Sequence, residues 1–91
     1  MAAGEPAAVT LRYFAWVREK AGRAEERVVL PESVVTVSDL IQWQKTRGPE
    51  LAEAFATESV IRTAIDQSHV KGSTPVAGAR EIAFFPPVTG G

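Results

Sequence analysis

Only one stretch of this chain carries the signals of a full-length helix, and this limits the folds open to its 91 residues. Thr36 can cap a first turn, and Asp39 stands at the third helical position, as in a capping box. Gly48 and Pro49 end the stretch, and Pro49 also opens a short second helix. One helical face carries a run of residues at helical spacing: Val37, Leu40, Ile41 and Gln44. The rest of the fold must therefore form around a single main helix.

Strand-like segments precede that helix. Val9 to Val17 is rich in β-branched and aromatic residues and predicts a strand. A turn is expected around Gly22, and Arg27 to Leu30 predicts a second strand that Pro31 stops. Strand, short turn and strand together predict a β-hairpin.

Further strands follow the helices. Residues 60–70 predict a strand, a turn at residues 66–68 and the start of a short strand at His69. Residues 81–85 predict the last strand, because the Pro86-Pro87 pair behind it cannot donate to a sheet. If the first and last strands lie side by side in parallel, the hairpin and helix form the crossover. We therefore expect an α+β fold of the ubiquitin-like type, with a mixed sheet of four or five strands on one main helix.

Composition narrows the class of function. A net charge of −1 gives no reason to expect a nucleic-acid or membrane partner. The chain has no cysteine and a single histidine, His69, and no carboxylate cluster that suggests a metal site. Glu25 and Glu26 are expected to be solvated charges. No apolar run could span a bilayer and the first residues do not resemble a signal peptide, so we expect a cytoplasmic protein.

The predicted strands, together with the positions of the prolines and glycines, divide the chain into three parts. Residues 1–8 are small and polar and are expected to be a disordered lead-in. Residues 9–85 are expected to form the domain, and residues 86–91 an extended C-terminal tail. Two prolines make the base of that tail stiff, while Gly90 and Gly91 have no side chain and could enter a channel too narrow for any Cβ. The tail is therefore suited to presenting its terminal carboxylate, although a pair of terminal glycines is by itself a weak signal.

Large aromatic side chains fall on the face of the predicted sheet that a single helix leaves uncovered. The first strand places Phe14 and Trp16 on this face, and the last strand places Phe85 there. Three large aromatic groups in water favour a partner-binding surface, and the alternative is that loops or the second helix cover them.

The ending AFFPPVTGG, together with VTLRYFAWVRE, TVSDL and AIDQSHV, resembles the MoaD-type sulfur carriers of the MoaD/ThiS family, the small subunits of molybdopterin synthase. The resemblance covers about residues 9–91, and its most specific element is FFPPVTGG. It implies the ubiquitin-like β-grasp fold that the order of elements also predicts. The sequence departs from the family pattern at His69, where relatives carry an aliphatic or aromatic residue, and at Arg80, where an acidic residue is usual.

The resemblance also implies a reaction. An adenylating enzyme related to ubiquitin-activating enzymes would use ATP and magnesium to activate the C-terminal carboxylate, and a sulfur donor protein would convert it to a thiocarboxylate. The large subunit of molybdopterin synthase would then accept the tail and pass the sulfur to cyclic pyranopterin monophosphate, within a heterotetramer. The chain itself would bind no cofactor, and the catalytic pocket would belong to the large subunit.

Individual residues take roles from the same resemblance. Gly91 is the acyl site, and the tail behind it consists of Gly90, Thr89, Val88, Pro87 and Pro86. The expected partner interface consists of Phe14, Phe85, Trp16 and His69. Three alternatives remain open: a ubiquitin-like modifier that forms isopeptide bonds, the sulfur carrier of thiamine thiazole synthesis, and an interaction module whose tail is dispensable.

Overall fold

A computed structural model describes residues 8–87 of the protein. The elements follow one another in this order: β1 Ala8–Tyr13, α1 Ala15–Ala21, β2 Glu25–Val29, α2 Val37–Gln44, α3 Pro49–Ala54, a 3-10 turn Glu58–Val60, β3 Arg62–Ile65, β4 Ser68–Val70 and β5 Glu81–Phe85. The predictions for residues 1–7 and 88–91 concern parts of the chain outside this range. Ala8, assigned to the lead-in from the sequence, begins the first strand.

The five strands form one mixed sheet in the order β2-β1-β5-β3-β4. The first and last strands pair in parallel, with Leu11 level with Ile82, which is the condition under which the sequence analysis expected a crossover through the hairpin and helix. The other three pairs are antiparallel. This is the α+β, ubiquitin-like β-grasp arrangement, in which β1 and β5 form the centre of the sheet and α2 belongs to the crossover between its two halves.

The prediction of one strand from Val9 to Val17 is wrong, because the strand ends at Tyr13 and α1 follows. Val17 and Ala21 lie one helical turn apart and are both buried, so a helix serves the core better here than a continued strand. Gly22 then ends the helix in the left-handed conformation, with φ of 75°. The strands β1 and β2 pair antiparallel as expected, but a helix connects them instead of a short turn.

The main helix begins as predicted. The backbone N–H of Asp39 donates to Thr36 Oγ1 at 3.2 Å, and Asp39 Oδ2 accepts from the backbone N–H of Thr36 at 3.1 Å. This reciprocal pair is the capping box. The buried residues of α2 are the four on the predicted face: Val37, Leu40, Ile41 and Gln44. The helix ends at Gln44, four residues before Gly48, and α3 begins at Pro49 as expected.

The helices cover one face of the sheet and enclose a continuous apolar core. Three aromatic rings form its centre, with the Phe55 and Phe84 centroids 4.9 Å apart and the Tyr13 ring stacked on Phe84 at 5.9 Å. Such contacts add to the stabilisation from burial. Leu11 and Ile82 complete this part of the core from the paired strands. The other face of the sheet is called the open face below. Its residues Ala64, Ala83 and Phe85 do not belong to this core, and it positions the candidate site.

Candidate functional site

The C-terminal ends of β1 and β5 meet at one edge of the molecule, because the two strands run in parallel. Phe14 follows β1 directly, and its backbone N–H donates to the carbonyl of Phe84 at 3.1 Å. The ring of Phe14 remains 39% exposed. Pro86 and Pro87 leave β5 at this same edge, both half-buried. The base of the tail and the exposed phenyl ring are thus held together by the sheet.

Phe85 faces away from the core, next to a shallow apolar floor. Its neighbour in β5, Ala83, lies level with Ala64 of β3, and Ala64 lies level with His69 of β4. The two alanines are only 7% exposed, although neither belongs to the apolar core of the helix-covered face. The His69 and Phe85 ring centroids are 5.3 Å apart. Phe14, Phe85, His69, Ala64 and Ala83 are called the open-face patch below.

Cations border the open-face patch. The guanidinium carbon of Arg12 lies 5.3 Å from the centroid of the Phe14 ring, which is a cation–π contact. Arg12 also approaches Glu25 at 3.6 Å and Glu81 at 3.9 Å, and these exposed contacts contribute little stability. Arg62 lies directly opposite Phe85 on β3 and is exposed. The patch is therefore apolar at its centre and positively charged beside it.

The structure brings three of the four expected interface residues to the same end of the sheet and leaves one apart. Phe14, Phe85 and His69 belong to the open-face patch, whereas Trp16 lies in α1, half-buried against the core. The sequence-based placement of Trp16 on the open sheet face is wrong, because it required β1 to continue past Tyr13. Phe14 also lies just beyond the strand rather than within it, although it stays exposed at the edge.

The two departures from the family pattern have different surroundings. His69 is exposed and contacts Phe85 in the open-face patch. Arg80 takes part in a turn through its backbone, since the N–H groups of Arg80 and Glu81 both donate to Asp66 Oδ1, at 3.0 and 2.9 Å. These bonds do not depend on the side chain at position 80. Val88, Thr89, Gly90 and Gly91, the reactive part of the predicted tail, lie outside the described residues.

Sequence reasoning missed a polar network on the helix-covered face. Tyr13 Oη donates to Glu26 Oε2 at 2.7 Å and accepts from Gln44 Nε2 at 2.8 Å. Arg47 binds both carboxylate oxygens of Glu26, at 2.7 and 2.9 Å, and also donates to Gln44. The expectation that Glu26 is a solvated charge is therefore wrong, whereas Glu25 is exposed. Tyr13 and Gln44 both lie on predicted core faces, and buried polar groups require partners, so those two residues were the available signal.

The network fixes the charges of its members. The hydrogen bonds from Arg47 lower the pKa of Glu26 from 4.5 to about 2, against the opposing effect of burial. Burial raises the pKa of the Tyr13 hydroxyl, and its bond to Glu26 raises it further. At neutral pH the phenol of Tyr13 is therefore a neutral donor and the carboxylate of Glu26 an ionised acceptor. Because these groups use their hydrogen bonds on one another, they hold β1, β2 and α2 together rather than perform acid–base chemistry.

Metal-ligand clusters and membrane-spanning helices are both absent from the part of the chain that the structure describes. Within residues 8–87, no three histidine, aspartate or glutamate side chains come together as metal ligands would. No helix of that part of the chain is long and apolar enough to cross a membrane.

Comparison with known proteins identifies relatives by sequence pattern and by fold. The family model of the ThiS family matches residues 11–91, which is most of the chain. No protein of curated function matches the sequence.

Three solved structures illustrate the similarity in fold. The crystal structure of SAMP1 from Haloferax volcanii has a TM-score of 0.62 at 23% identity and covers 93% of this chain and 100% of its own. A Pyrococcus furiosus protein proposed to be subunit 1 of molybdopterin converting factor has a TM-score of 0.63 at 26% identity, covering 89% and 98%. The solution structure of small archaeal modifier protein 1 from Methanosarcina acetivorans has a TM-score of 0.59 at 22% identity, covering 97% and 100%.

Proposed function

The chain belongs to the ThiS family, and from this premise we propose that it is the sulfur-carrier small subunit of molybdopterin synthase. One observation carries the proposal: the base of the Gly-Gly tail leaves the sheet beside an apolar patch on the open face. A partner that covers Phe14 and Phe85 would receive the residues that follow Pro87 at a fixed position. A carrier needs this combination, because docking must direct one terminal group into another protein's pocket.

The proposed reaction takes place at Gly91. Its carboxylate attacks the α-phosphorus of ATP on an adenylating enzyme with magnesium, and pyrophosphate leaves. A sulfide equivalent from a sulfur donor protein then replaces AMP and leaves a thiocarboxylate. The large subunit of molybdopterin synthase accepts the tail, and sulfur passes to cyclic pyranopterin monophosphate to build the dithiolene of molybdopterin. Water hydrolyses the acyl–sulfur bond and releases each carrier in the carboxylate form, and two such transfers supply the two sulfur atoms of the dithiolene.

The remainder of the chain supports a carrier rather than a catalyst. The sequence has no cysteine, so sulfur would travel on the terminal carbonyl. Its one histidine packs on Phe85 at the open-face patch rather than beside a nucleophile. The carboxylate with the strongly lowered pKa, Glu26, is held within the polar network. The pterin chemistry is therefore assigned to the large subunit.

A second function deserves a test because two of the structural neighbours are small archaeal modifier proteins. A modifier would use the same adenylated glycine, but would form an isopeptide bond with a lysine instead of accepting sulfur. The FFPP segment favours the synthase, as does the similarity to the Pyrococcus furiosus protein. The two functions differ in the acceptor of the activated carbonyl, and this can be measured directly.

The decisive experiment measures the intact mass of the full chain after incubation with its adenylating enzyme, ATP, magnesium and a sulfur source. We expect a gain equal to sulfur replacing oxygen, confined to the C-terminal peptide. The large subunit and cyclic pyranopterin monophosphate are then added, and molybdopterin is expected to form. Deleting Gly91 or appending one residue after it should abolish both results while the thermal midpoint stays unchanged, since the described core is built from residues 9–84.

The outcomes separate the candidates. Lysine conjugates without molybdopterin would assign the modifier function. A thiocarboxylate that the large subunit does not consume would favour the thiamine-type carrier. No mass change with an active adenylating enzyme would leave only an interaction module. Product formation by the variant that lacks Gly91 would contradict the acyl-carrier proposal altogether.

A further inference from the structure

We propose that the partner surface that covers Phe85 carries a carboxylate that pairs with Arg62. This inference rests on the proposed function, because it concerns the protein that receives the tail. It goes beyond that function by assigning the chemistry of the partner: an apolar pocket with an acidic side chain at one side.

Arg62 is placed so that an interface over Phe85 cannot avoid it. The two residues are directly opposed across the β3–β5 pair, and both point to the open face. Side chains opposed in this way have Cβ atoms about 5 Å apart. The next residue of β3, Thr63, is buried on the other face together with Phe84, which fixes the direction of Arg62. A protein that buries the Phe85 ring therefore also covers at least the stem of Arg62.

Arg62 has no acidic partner of its own among residues 8–87. None of their carboxylates lies within 4.0 Å of its guanidinium, whereas Arg12, on the same face, reaches both Glu25 and Glu81. Glu58 lines the same surface hollow as Arg62, but its oxygens accept hydrogen bonds from Ser38 and Gln42 instead.

The groups around Arg62 increase its need for a partner. Lys71 is exposed, lines the same hollow and adds a second positive charge. His69, across the sheet, contributes an imidazole and no negative charge. The two carboxylates of the open face, Glu25 and Glu81, are both engaged by Arg12. The part of the face nearest to Phe85 and β4 is therefore positively charged.

Burial of the Arg62 guanidinium in an interface opposes binding unless the partner supplies a hydrogen-bond acceptor for it. A guanidinium that loses water without gaining an acceptor opposes association, whereas a carboxylate that accepts two parallel N–H bonds from it turns the same group into a specific contact. An apolar partner surface alone would bind Phe85 and leave Arg62 desolvated and unpaired. Charge complementarity therefore favours an acidic group at this position over a purely hydrophobic contact.

The chain offers a matched control in Arg27. It is exposed and lies on the same open face, opposite Thr10 on β2, and it also has no carboxylate within 4.0 Å among the described residues. Three strand spacings, or roughly 14 Å, separate β2 from β3. Reversing the charge at Arg27 therefore changes the net charge as much as reversal at Arg62 does, but far from Phe85.

The test measures the affinity of the full chain for the large subunit of molybdopterin synthase from the same organism, by titration calorimetry. We expect Arg62→Glu to weaken binding by about a hundredfold and Arg62→Gln by about tenfold, because reversal adds repulsion to the lost pair. Arg27→Glu should stay within about threefold of the wild type, since a distant charge acts only through screened attraction. Thermal unfolding of each variant establishes that it is folded.

The results distinguish this inference from the proposed function. If the wild type binds and Phe85→Asp does not, but Arg62→Glu matches Arg27→Glu, the carboxylate is refuted and the docking surface stands. If the wild type does not bind the large subunit, the synthase assignment fails, and the same variants are titrated against the adenylating enzyme. A selective loss at Arg62 there supports the inference for that partner, and equal affinities overturn it.

Discussion

The two faces of the sheet treat their polar groups in opposite ways. On the helix-covered face, Tyr13, Glu26, Gln44 and Arg47 satisfy one another through hydrogen bonds of 2.7–2.9 Å. On the open face, Arg62 has no carboxylate within 4.0 Å among residues 8–87. The first arrangement stabilises the domain by itself, whereas in the second, under our proposal, another protein supplies the carboxylate that Arg62 lacks.

Neighbouring residues of the same strand show this division at close range. Phe84 is fully buried between Tyr13 and Phe55, while Phe85 is half-buried beside His69. The two side chains have the same composition and differ only in the face that they occupy. Their difference teaches that apolar character alone does not identify the core of this domain, since β5 contributes one phenyl ring to the core and leaves the other half-buried on the open face, where we propose that a partner binds.

The largest expected effect comes from substituting these two residues in parallel. Phe84→Ala should lower the free energy of unfolding by about 3–5 kcal/mol, because it removes a ring from the centre of the core. Phe85→Ala should lower it by less than about 1 kcal/mol, while abolishing measurable binding to the large subunit. Urea unfolding and calorimetry give the two quantities. Since Phe84→Ala could leave little folded protein, Phe84→Leu serves as a milder second variant, and equal losses at positions 84 and 85 would contradict the division.

The pH dependence of stability tests the polar network. The pKa of Glu26 is about 2 in the folded protein and 4.5 when unperturbed, so the unfolded state binds this proton more readily. The stabilisation is therefore complete above about pH 4.5 and is lost as the pH falls toward 2. It amounts to up to about 3 kcal/mol. The difference in unfolding free energy between the wild type and Glu26→Gln should be largest at pH 7 and should shrink steadily in acid.

Glu25 provides the control for that experiment, because it is adjacent in sequence but exposed. Glu25→Gln should change the free energy of unfolding by less than about 0.5 kcal/mol both at pH 7 and at pH 3. A Glu26→Gln difference that stays constant between pH 7 and pH 3 would show that the carboxylate is not specifically stabilised by Arg47.

Local signals predicted most of the fold. The capping box at Thr36 and Asp39 located the start of α2, and Pro86-Pro87 located the end of β5. The order of the elements predicted the ubiquitin-like fold with a mixed sheet, and the structure shows that β1 and β5 are its parallel pair. The failure at α1 has a physical reason: Tyr13, Val17 and Ala21 are spaced four apart, and a short apolar run satisfies both the strand and the helix period. Tertiary packing decided between them.

The candidate site was predicted less completely, for a reason that follows from that failure. The alternation of side chains along the strands predicts Phe14 and Phe85 on the open face, and the structure has Phe85 there and Phe14 exposed just beyond the end of β1. Trp16 was misplaced along with the end of β1. The network around Glu26 depends on residues from three separate segments, and no local pattern indicates which buried donor will meet which acceptor. Its partners are a property of the packed chain.

The last comparison concerns two arginines, Arg47 on the helix-covered face and Arg12 on the open face, and the small effect is expected at Arg12. Arg47 binds Glu26 with two short hydrogen bonds, stacks on Trp43 at 4.9 Å and has a side chain only 19% exposed. Arg47→Met should therefore cost about 2–3 kcal/mol of unfolding free energy, since it leaves the Glu26 carboxylate with its bonds to Tyr13 and Arg23 only.

Arg12, by contrast, reaches its two carboxylates only at 3.6 and 3.9 Å and has a side chain 42% exposed. Arg12→Met should change the free energy of unfolding by less than about 1 kcal/mol, because exposed ion pairs at such distances are screened by water and salt. Both variants keep a long unbranched side chain, so the comparison isolates the charge. Urea unfolding at low and high salt measures it, and a loss at Arg12 as large as that at Arg47 would mean that the open face carries its own stabilising network and is not reserved for a partner.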